Sequence, residues 1–318
     1  MIVTDEVIQW LLSGDPAICW QTRRDLLAAP VAEWQSDRQA TLSAGWGAQL
    51  LARQDADGRW GSGIYSPKWT STTYTLLMLL RIGIPGDCAA AQRGANLVID
   101  ELLGATLDAQ FRRKLADLDR CIVGMVLQIA VYFGLDDERI EAIIDNLLAE
   151  RMPDDGWNCR RHRRPAPHHS SFHTTLNVLD GLREYIEAGK TDQRGEVLAA
   201  EASALELLLQ HYLFKSDKTG KVIEPRFTLL SFPPRWHYDA LRGLEYFARS
   251  DAPGDERLQD AIGLLNQQRR QDGLWPLQYK YSGKVFFEME RVGQPSRWNT
   301  LRALRILRWW ERAKPNCG

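Results

Sequence analysis

Gln54-Asp55-Ala56-Asp57-Gly58-Arg59-Trp60 leads into Trp69-Thr70-Ser71-Thr72-Thr73 and then into the apolar run Leu76-Leu77-Met78-Leu79-Leu80. A Gly/Trp turn, a loop and a long apolar helix entered through Ser, Thr, Trp or His make one module. The module recurs as Asp155-Gly156-Trp157, Ser170-Ser171-Phe172-His173-Thr174-Thr175 and Leu176, Val178, Leu179. It recurs again as Asp272-Gly273-Leu274-Trp275, Ser296-Arg297-Trp298-Asn299-Thr300 and Leu301, Leu304, Ile306, Leu307. The copies are not identical: nothing separates Gly156 from Trp157, and Arg269 stands where the first copy has Gln54. Recurrence at a long period is the signature of a repeat architecture, in which each unit buries its apolar face only against its neighbours.

Working outward, strand signals are poor and a 3.6-residue periodicity filled by Ala, Leu, Arg and Glu dominates. Helices are expected near 6–12, 16–27, 36–52, 70–80, 89–103, 119–133, 136–151, 170–187, 196–212, 236–249, 256–269 and 296–312. Asp15-Pro16 supplies an N-cap with Pro at the first helical position. Every second helix, starting near 16, 69, 119, 170, 236 and 297, is apolar on nearly all sides, and the intervening ones carry charged faces. An all-round apolar helix is buried and an amphipathic one covers it. The pattern predicts an all-α fold, an (α/α)6 toroid spanning 1–318 as one domain. An open superhelix of hairpins is the alternative. Closure is favoured because neither end reads as a polar capping repeat.

Charge is balanced, 40 basic against 41 acidic residues, which gives no global pointer to nucleic acid or to an anionic membrane. Five scattered cysteines without a Cys-x-x-Cys pair argue for a reducing compartment. The absence of a signal-peptide pattern or a membrane-length apolar run makes the cytoplasm the expected location. Twelve tryptophans is a high number, explained if they sit at turns and around a central cavity.

Gln54…Gly58-Arg59-Trp60 resembles the Gln-x-x-x-Gly-x-Trp repeat of squalene and related triterpene cyclases, in which Gln and Trp tie outer-helix ends to the following turn. The chain also resembles the β subunits of protein prenyltransferases, which share the toroid. The resemblance implies an isoprenoid-handling protein with its ligand in the central cavity. In a toroid the inner helices start around one rim, where the loops before them converge. Asp117-Leu118-Asp119 is similar to the Asp-x-Asp-Asp motif of class II terpene cyclases, whose middle Asp, here Asp119, is the acid that protonates an alkene. Arg120 stands in place of the third Asp and would favour carboxylate. The structural alternative is an N-cap for the helix that follows.

The segment from Cys159 to His173 holds Arg160, Arg161, Arg163 and Arg164, four arginines in five positions that can fork onto a diphosphate or carboxylate. It also holds His168, His169 and His173. Protein prenyltransferases bind zinc through Asp, Cys and His on this rim, so zinc is a candidate cofactor, against a solvated basic loop with a capping His. Trp236-His237-Tyr238-Asp239 resembles the prenyltransferase stretch in which a zinc-binding His enters a helix; His237 can equally serve as a base oriented by a carboxylate such as Asp239, or simply start the helix. Glu288 and Glu290 can work as paired carboxylates or pair with Arg291 and Arg297 as salt bridges; the salt bridges are the favoured reading. Tyr65, Trp69, Phe172, Trp236 and Trp298 make the rim aromatic, which suits cation–π stabilisation of a carbocation. Arg297 and Asn299 complete the candidate ligand-binding set.

The reading is therefore an isoprenoid-handling protein of the cyclase or prenyltransferase type, acting on or binding an apolar ligand that can bear a diphosphate. A carbohydrate-active (α/α)6 enzyme and a non-catalytic ligand- or partner-binding toroid are the alternatives.

Overall fold

The computed structural model describes residues 4–159 and 165–314. Among them the chain is all-α. The first seven helices are α1 (Asp5–Leu12), α2 (Pro16–Asp25), α3 (Val31–Ala40), α4 (Gly45–Leu51), α5 (Thr72–Ile82), α6 (Ala89–Leu102) and α7 (Ala109–Asp117). They are followed by α8 (Arg120–Tyr132), α9 (Glu138–Ala149), α10 (Phe172–Glu187), α11 (Arg194–Gln210), α12 (Ala240–Arg249), α13 (Gln259–Gln267) and α14 (Arg297–Ala313).

Six of these form an inner ring, and the bonds between neighbours close it. Trp20 Nε1 of α2 donates to Ile82 O at the end of α5, 2.9 Å. Just beyond α5, Ile84 O accepts from Tyr132 Oη of α8, 2.7 Å. α8 and α10 touch backbone to backbone: a Cβ on Gly124 would lie 2.5 Å from Asn177 O, and one on Gly181 2.5 Å from Gly124 O. Arg242 of α12 pairs with Asp180 of α10 at 2.6 Å. Arg302 of α14 pairs with Glu245 of α12 at 3.0 Å. The last contact returns to the first helix of the ring, where Arg305 pairs with Asp25 at 2.5 Å and donates to Gln21 at 2.6 Å. A ring in which α14 packs on α2 is closed, not an open superhelix.

The module is a geometric unit in all three copies. Trp60, Trp157 and Trp275 are fully buried. Each indole N–H donates to the carbonyl ten residues back (Leu50, Leu147, Leu265), at 2.7 Å in every case. Each Trp backbone N–H donates to a threonine hydroxyl on the next inner helix (Thr72, Thr175, Thr300), at 3.0 Å in every case. The turn two residues before each Trp has positive φ: Gly58 at 92°, Asp155 at 71° and Gly273 at 80°. The second copy therefore lacks no residue. Asp155 takes the left-handed position that glycine fills elsewhere, and Gly156 is needed because a Cβ there would meet Thr175 Oγ1 at 2.6 Å. Arg269 also replaces Gln54 functionally: Gln54 Nε2 donates to Gly58 O at 2.8 Å, and Arg269 Nε donates to Gly273 O at 3.2 Å.

Some helix limits differ from expectation. The span 36–52 is two helices, broken at Gly45, whose φ of 68° ends one and begins the other. α7 is additional. Its Arg112-Arg113-Lys114 run hides the buried pair Phe111 and Leu115, and Asp108 caps it through Gln110 N and Phe111 N, 2.8 Å each. α12 begins at Ala240 rather than 236, because Asp239 is its N-cap. The inner helices are buried as expected, but three carry charge inward: Asp180 on α10, Arg242 on α12 and Arg302 on α14 are all under one-tenth exposed.

Candidate functional site

The rim at the N-terminal ends of the inner helices is filled. The segment between α13 and α14 crosses it and pairs with the loop before α5: Trp69 N donates to Lys284 O at 2.7 Å, Lys284 N to Lys68 O at 3.0 Å, and Trp69 Nε1 to Ser282 O at 2.9 Å. Tyr281 of that segment lies flat on His237, centroids 3.6 Å apart and planes at 2°, and His237 stacks on Trp236 at 3.8 Å. His173 accepts the Tyr238 N–H on Nδ1 at 2.7 Å, which puts its proton on Nε2 when neutral. Burial pulls both imidazoles down, His173 to about 4 and His237 to about 3, with the Arg242 charge adding to each. Neutral stacked rings are what such a wall requires.

Most of the other described residues singled out on this rim have local partners. Tyr65 and Tyr74 hydroxyls bond at 2.9 Å. Asp119 occupies the N-cap position of α8 without a capping bond from its side chain. Arg120 donates to Leu115, Ala116 and Leu118 carbonyls and to Asn146, so it fastens the α7–α8 corner to α9. Asp239 is fully buried, accepts from Arg242 N at 2.8 Å and from Ser231 Oγ, and burial raises its pKa. Glu288 pairs with Lys280 at 2.5 Å, rather than with Arg291 or Arg297. Glu290 accepts from Ser296 Oγ and from Trp298 N at 3.2 Å, so it joins the cap of α14. Arg297 reaches Trp10 O at 3.1 Å, and Asn299 reaches Pro276 O at 3.1 Å. His169 is exposed, 3.7 Å from Asp154. Arg160, Arg161, Arg163 and Arg164 lie outside the described residues. Among the described residues no three His, Cys, Asp or Glu side chains converge as a metal site.

The open space is on the other side. A cavity of about 620 Å³ lies inside the ring and takes lining from all six inner helices. Its floor is the stacked pair Phe232 and Trp298, centroids 4.6 Å apart at 14°. Among the described residues Trp298 is the one rim candidate that touches it. Its mouth is at the C-terminal ends of α2, α10 and α14, where Arg24, Glu187, Arg308 and Arg312 are exposed.

The lining is cationic: eight arginines face four carboxylates. Every one of those carboxylates is engaged, Asp25 by Arg305 and Arg24, Asp180 by Arg242, Glu187 by Arg249 and Glu245 by Arg302. Burial works against the charge on Asp25 and Glu245, but the adjacent arginines outweigh it and hold both carboxyls below their usual range. The guanidinium of Arg81, on α5, makes no hydrogen bond or ion pair among the described residues, although its carbonyl accepts from Gln21 Nε2 at 3.1 Å. Burial, with Arg242 beside it, pulls its guanidinium down to about 10. Arg242 Nε, Arg302 Nη2, Arg305 Nε and Trp298 Nε1, four donors on lining residues, are buried without an acceptor. An unmet set of donors and an excess of positive charge, five arginines to three carboxylates once the exposed mouth residues are set aside, are features an anion satisfies.

The sequence did carry a signal for this wall. Arg302, Arg305, Arg308 and Arg312 recur at steps of three, three and four along α14; Arg242, Glu245 and Arg249 do so along α12; Asp180, Glu184 and Glu187 along α10. Charge at helical spacing on a helix otherwise apolar marks a polar cavity.

No family model matches the chain, and no curated protein matches it in sequence. Among solved structures, that of the apo type II terpene cyclase MstE from Scytonema is similar to it, at 16% identity and a TM-score of 0.33, over 89% of this chain and 100% of that one. Among the described residues no helix is long and apolar enough to cross a membrane.

Proposed function

We propose that this toroid binds a small molecule bearing a phosphate, diphosphate or similar polyanion in its central cavity, entering at the C-terminal ends of the inner helices. The observation that carries the reading is the surplus of arginine over carboxylate inside a walled space, with Arg81 unpaired. The cavity size falls within the usual range for small-ligand sites, roughly 300–1,000 Å³. Guanidinium groups match phosphate oxygens two at a time, and they do so most strongly where water is excluded. Leu80, Ile306 and Trp309 on the same wall give an apolar body somewhere to rest. An isoprenoid diphosphate has both halves of this chemistry, which is the form in which the isoprenoid reading survives. Asp25 and Glu245 are held ionised by the arginines beside them, so the wall suits charge neutralisation of a diphosphate, as ligand or leaving group, rather than protonation of an alkene. The rim residues, His173, Trp236 and His237 among them, then serve as the wall that keeps solvent out from the opposite side.

Titration calorimetry with inorganic pyrophosphate, geranyl diphosphate and geraniol tests this. The two diphosphates are expected to bind and the alcohol not to. Arg81→Met is expected to weaken both about 10- to 100-fold, the range for a lost charge-assisted bond. Equal binding of geraniol and geranyl diphosphate, or no binding of either diphosphate, overturns the reading.

A further inference from the structure

Two residues past its buried tryptophan, the second module carries Cys159, where the first and third carry Ser62 and Leu277. The Cys159 sulfur accepts the Cys121 backbone N–H at 3.2 Å and lies 3.3 Å from Thr174 Oγ1. Cys121 is the second residue of the 13-residue α8, so a first-turn N–H and the positive end of that helix both face the Cys159 sulfur. The neighbouring Cys121, opposed by burial, draws the Cys159 thiol below its ordinary pKa; the neighbouring Cys159 and burial push Cys121 up. One sulfur is thus prepared as nucleophile and the other as the proton-bearing partner that follows it. Both side chains are half-buried, so a small reagent can reach them. No other part of the fold described above uses either thiol.

We infer that Cys121 and Cys159 form a reversible dithiol–disulfide pair that fastens the segment after Trp157 to the first turn of α8. With a small disulfide such as oxidised glutathione, the Cys159 thiolate attacks one sulfur and expels one glutathione thiolate, leaving a mixed disulfide. Cys121 then gives its proton to solvent, attacks the Cys159 sulfur and expels the second glutathione thiolate. Two protein thiols and one glutathione disulfide become one protein disulfide and two glutathiones, a two-electron exchange with no other co-reactant. The bond joins residues 38 apart in sequence. It stands beside Tyr65 and Asp119 on the rim, and so sets how firmly that wall is held.

The test uses the full chain, reduced, desalted, exposed to oxidised glutathione, alkylated with N-ethylmaleimide and digested without reductant. Mass spectrometry is expected to find the Cys121 and Cys159 peptides joined, and dithiothreitol to separate them. The oxidised chain is expected to melt roughly 5 °C higher than the reduced one, from the loop closed in the unfolded state. In Cys121→Ser, glutathione is expected to remain on Cys159; in Cys159→Ser, Cys121 is expected to react at least about 10-fold more slowly than Cys159 does. Recovery of Cys121 and Cys159 as separate maleimide adducts, or of glutathione on Cys19 and Cys88 without the cross-link, overturns the inference. Pyrophosphate affinity is a separate readout, so failure here leaves the cavity reading standing, and the reverse holds too.

Discussion

His173 and His237 show how far a residue's chemistry departs from its type. Both are histidines beside a carboxylate-bearing segment, a pattern that reads as base or ligand, yet burial among aromatic rings keeps both neutral. The groups facing them are mostly cationic. Arg242 acts on both, Lys68 and Arg226 also act on His237, and Glu224 alone opposes on His173. The folded pKa values, about 4 and about 3, lie below the ordinary 6.5. The unfolded chain therefore takes up protons first as pH falls. Stability is complete above about pH 6.5 and is lost progressively towards pH 4, by about 1–2 kcal/mol for each ring by pH 5. His173→Asn, whose amide oxygen can still take the Tyr238 N–H, is expected to flatten the melting temperature between pH 7 and pH 5 relative to the wild type. An unchanged slope would mean that the ring titrates normally. Nothing in the sequence separates a buried neutral histidine from a poised one, because the aromatic lid that decides it, Tyr281, comes from 44 residues further along.

At the scale of the element, the module was readable and its variants were not. Gly, Trp and the following Ser/Thr cluster identify the turn and the inner-helix start. What the letters hide is that each bond of the lock has one backbone partner: an indole N–H to a carbonyl, and an amide N–H to a threonine hydroxyl. Such a lock tolerates Arg269 for Gln54 and Asp155 for glycine, which is why two copies look degraded and are geometrically intact. Thr175 is completely buried, so Thr175→Val leaves the Trp157 amide with no acceptor and no water. The expected cost is about 1–3 kcal/mol, which lowers the melting temperature by a few degrees for a chain of this size. Thr300→Val is expected to cost the same within error, since the two bonds have the same length and burial, and Thr72→Val somewhat more, because its hydroxyl also donates to Gly63 O at 2.9 Å. A loss confined to one copy would show that the three turns are not equivalent.

The whole molecule is a closed ring whose seams are partly ionic, and its cavity inherits the same charges. The inner and outer helices follow from the alternation of apolar and charged faces, and closure from the lack of a polar capping repeat at either end, so the ring was legible. The open end was not. Convergence of loops at the N-terminal rim made that side the natural mouth, but the segment between α13 and α14 covers it, and the arginine stripes face the other way. A stripe becomes a cavity only when six helices curve around it, and no single helix shows that. The arrangement has an energetic consequence. The Arg81 guanidinium, partly buried near Arg242 and Arg302, has no acceptor among the described residues, and desolvation together with the Arg242 charge pulls its pKa down to about 10. Removing that charge relieves the empty ring, so Arg81→Met is expected to melt about 1–3 °C above the wild type without ligand. A polyanion relieves the same repulsion by binding. At about 100 times its dissociation constant it adds about 2.7 kcal/mol, close to 4 °C for a chain of this length. Pyrophosphate is therefore expected to raise the wild-type melting temperature, to do so less as salt is added, and at the same concentration to raise that of Arg81→Met by no more than about half as much. The two effects must appear together: a variant that loses the ligand response and is also less stable than the wild type when empty would place Arg81 in the framework of the ring, not in its binding site.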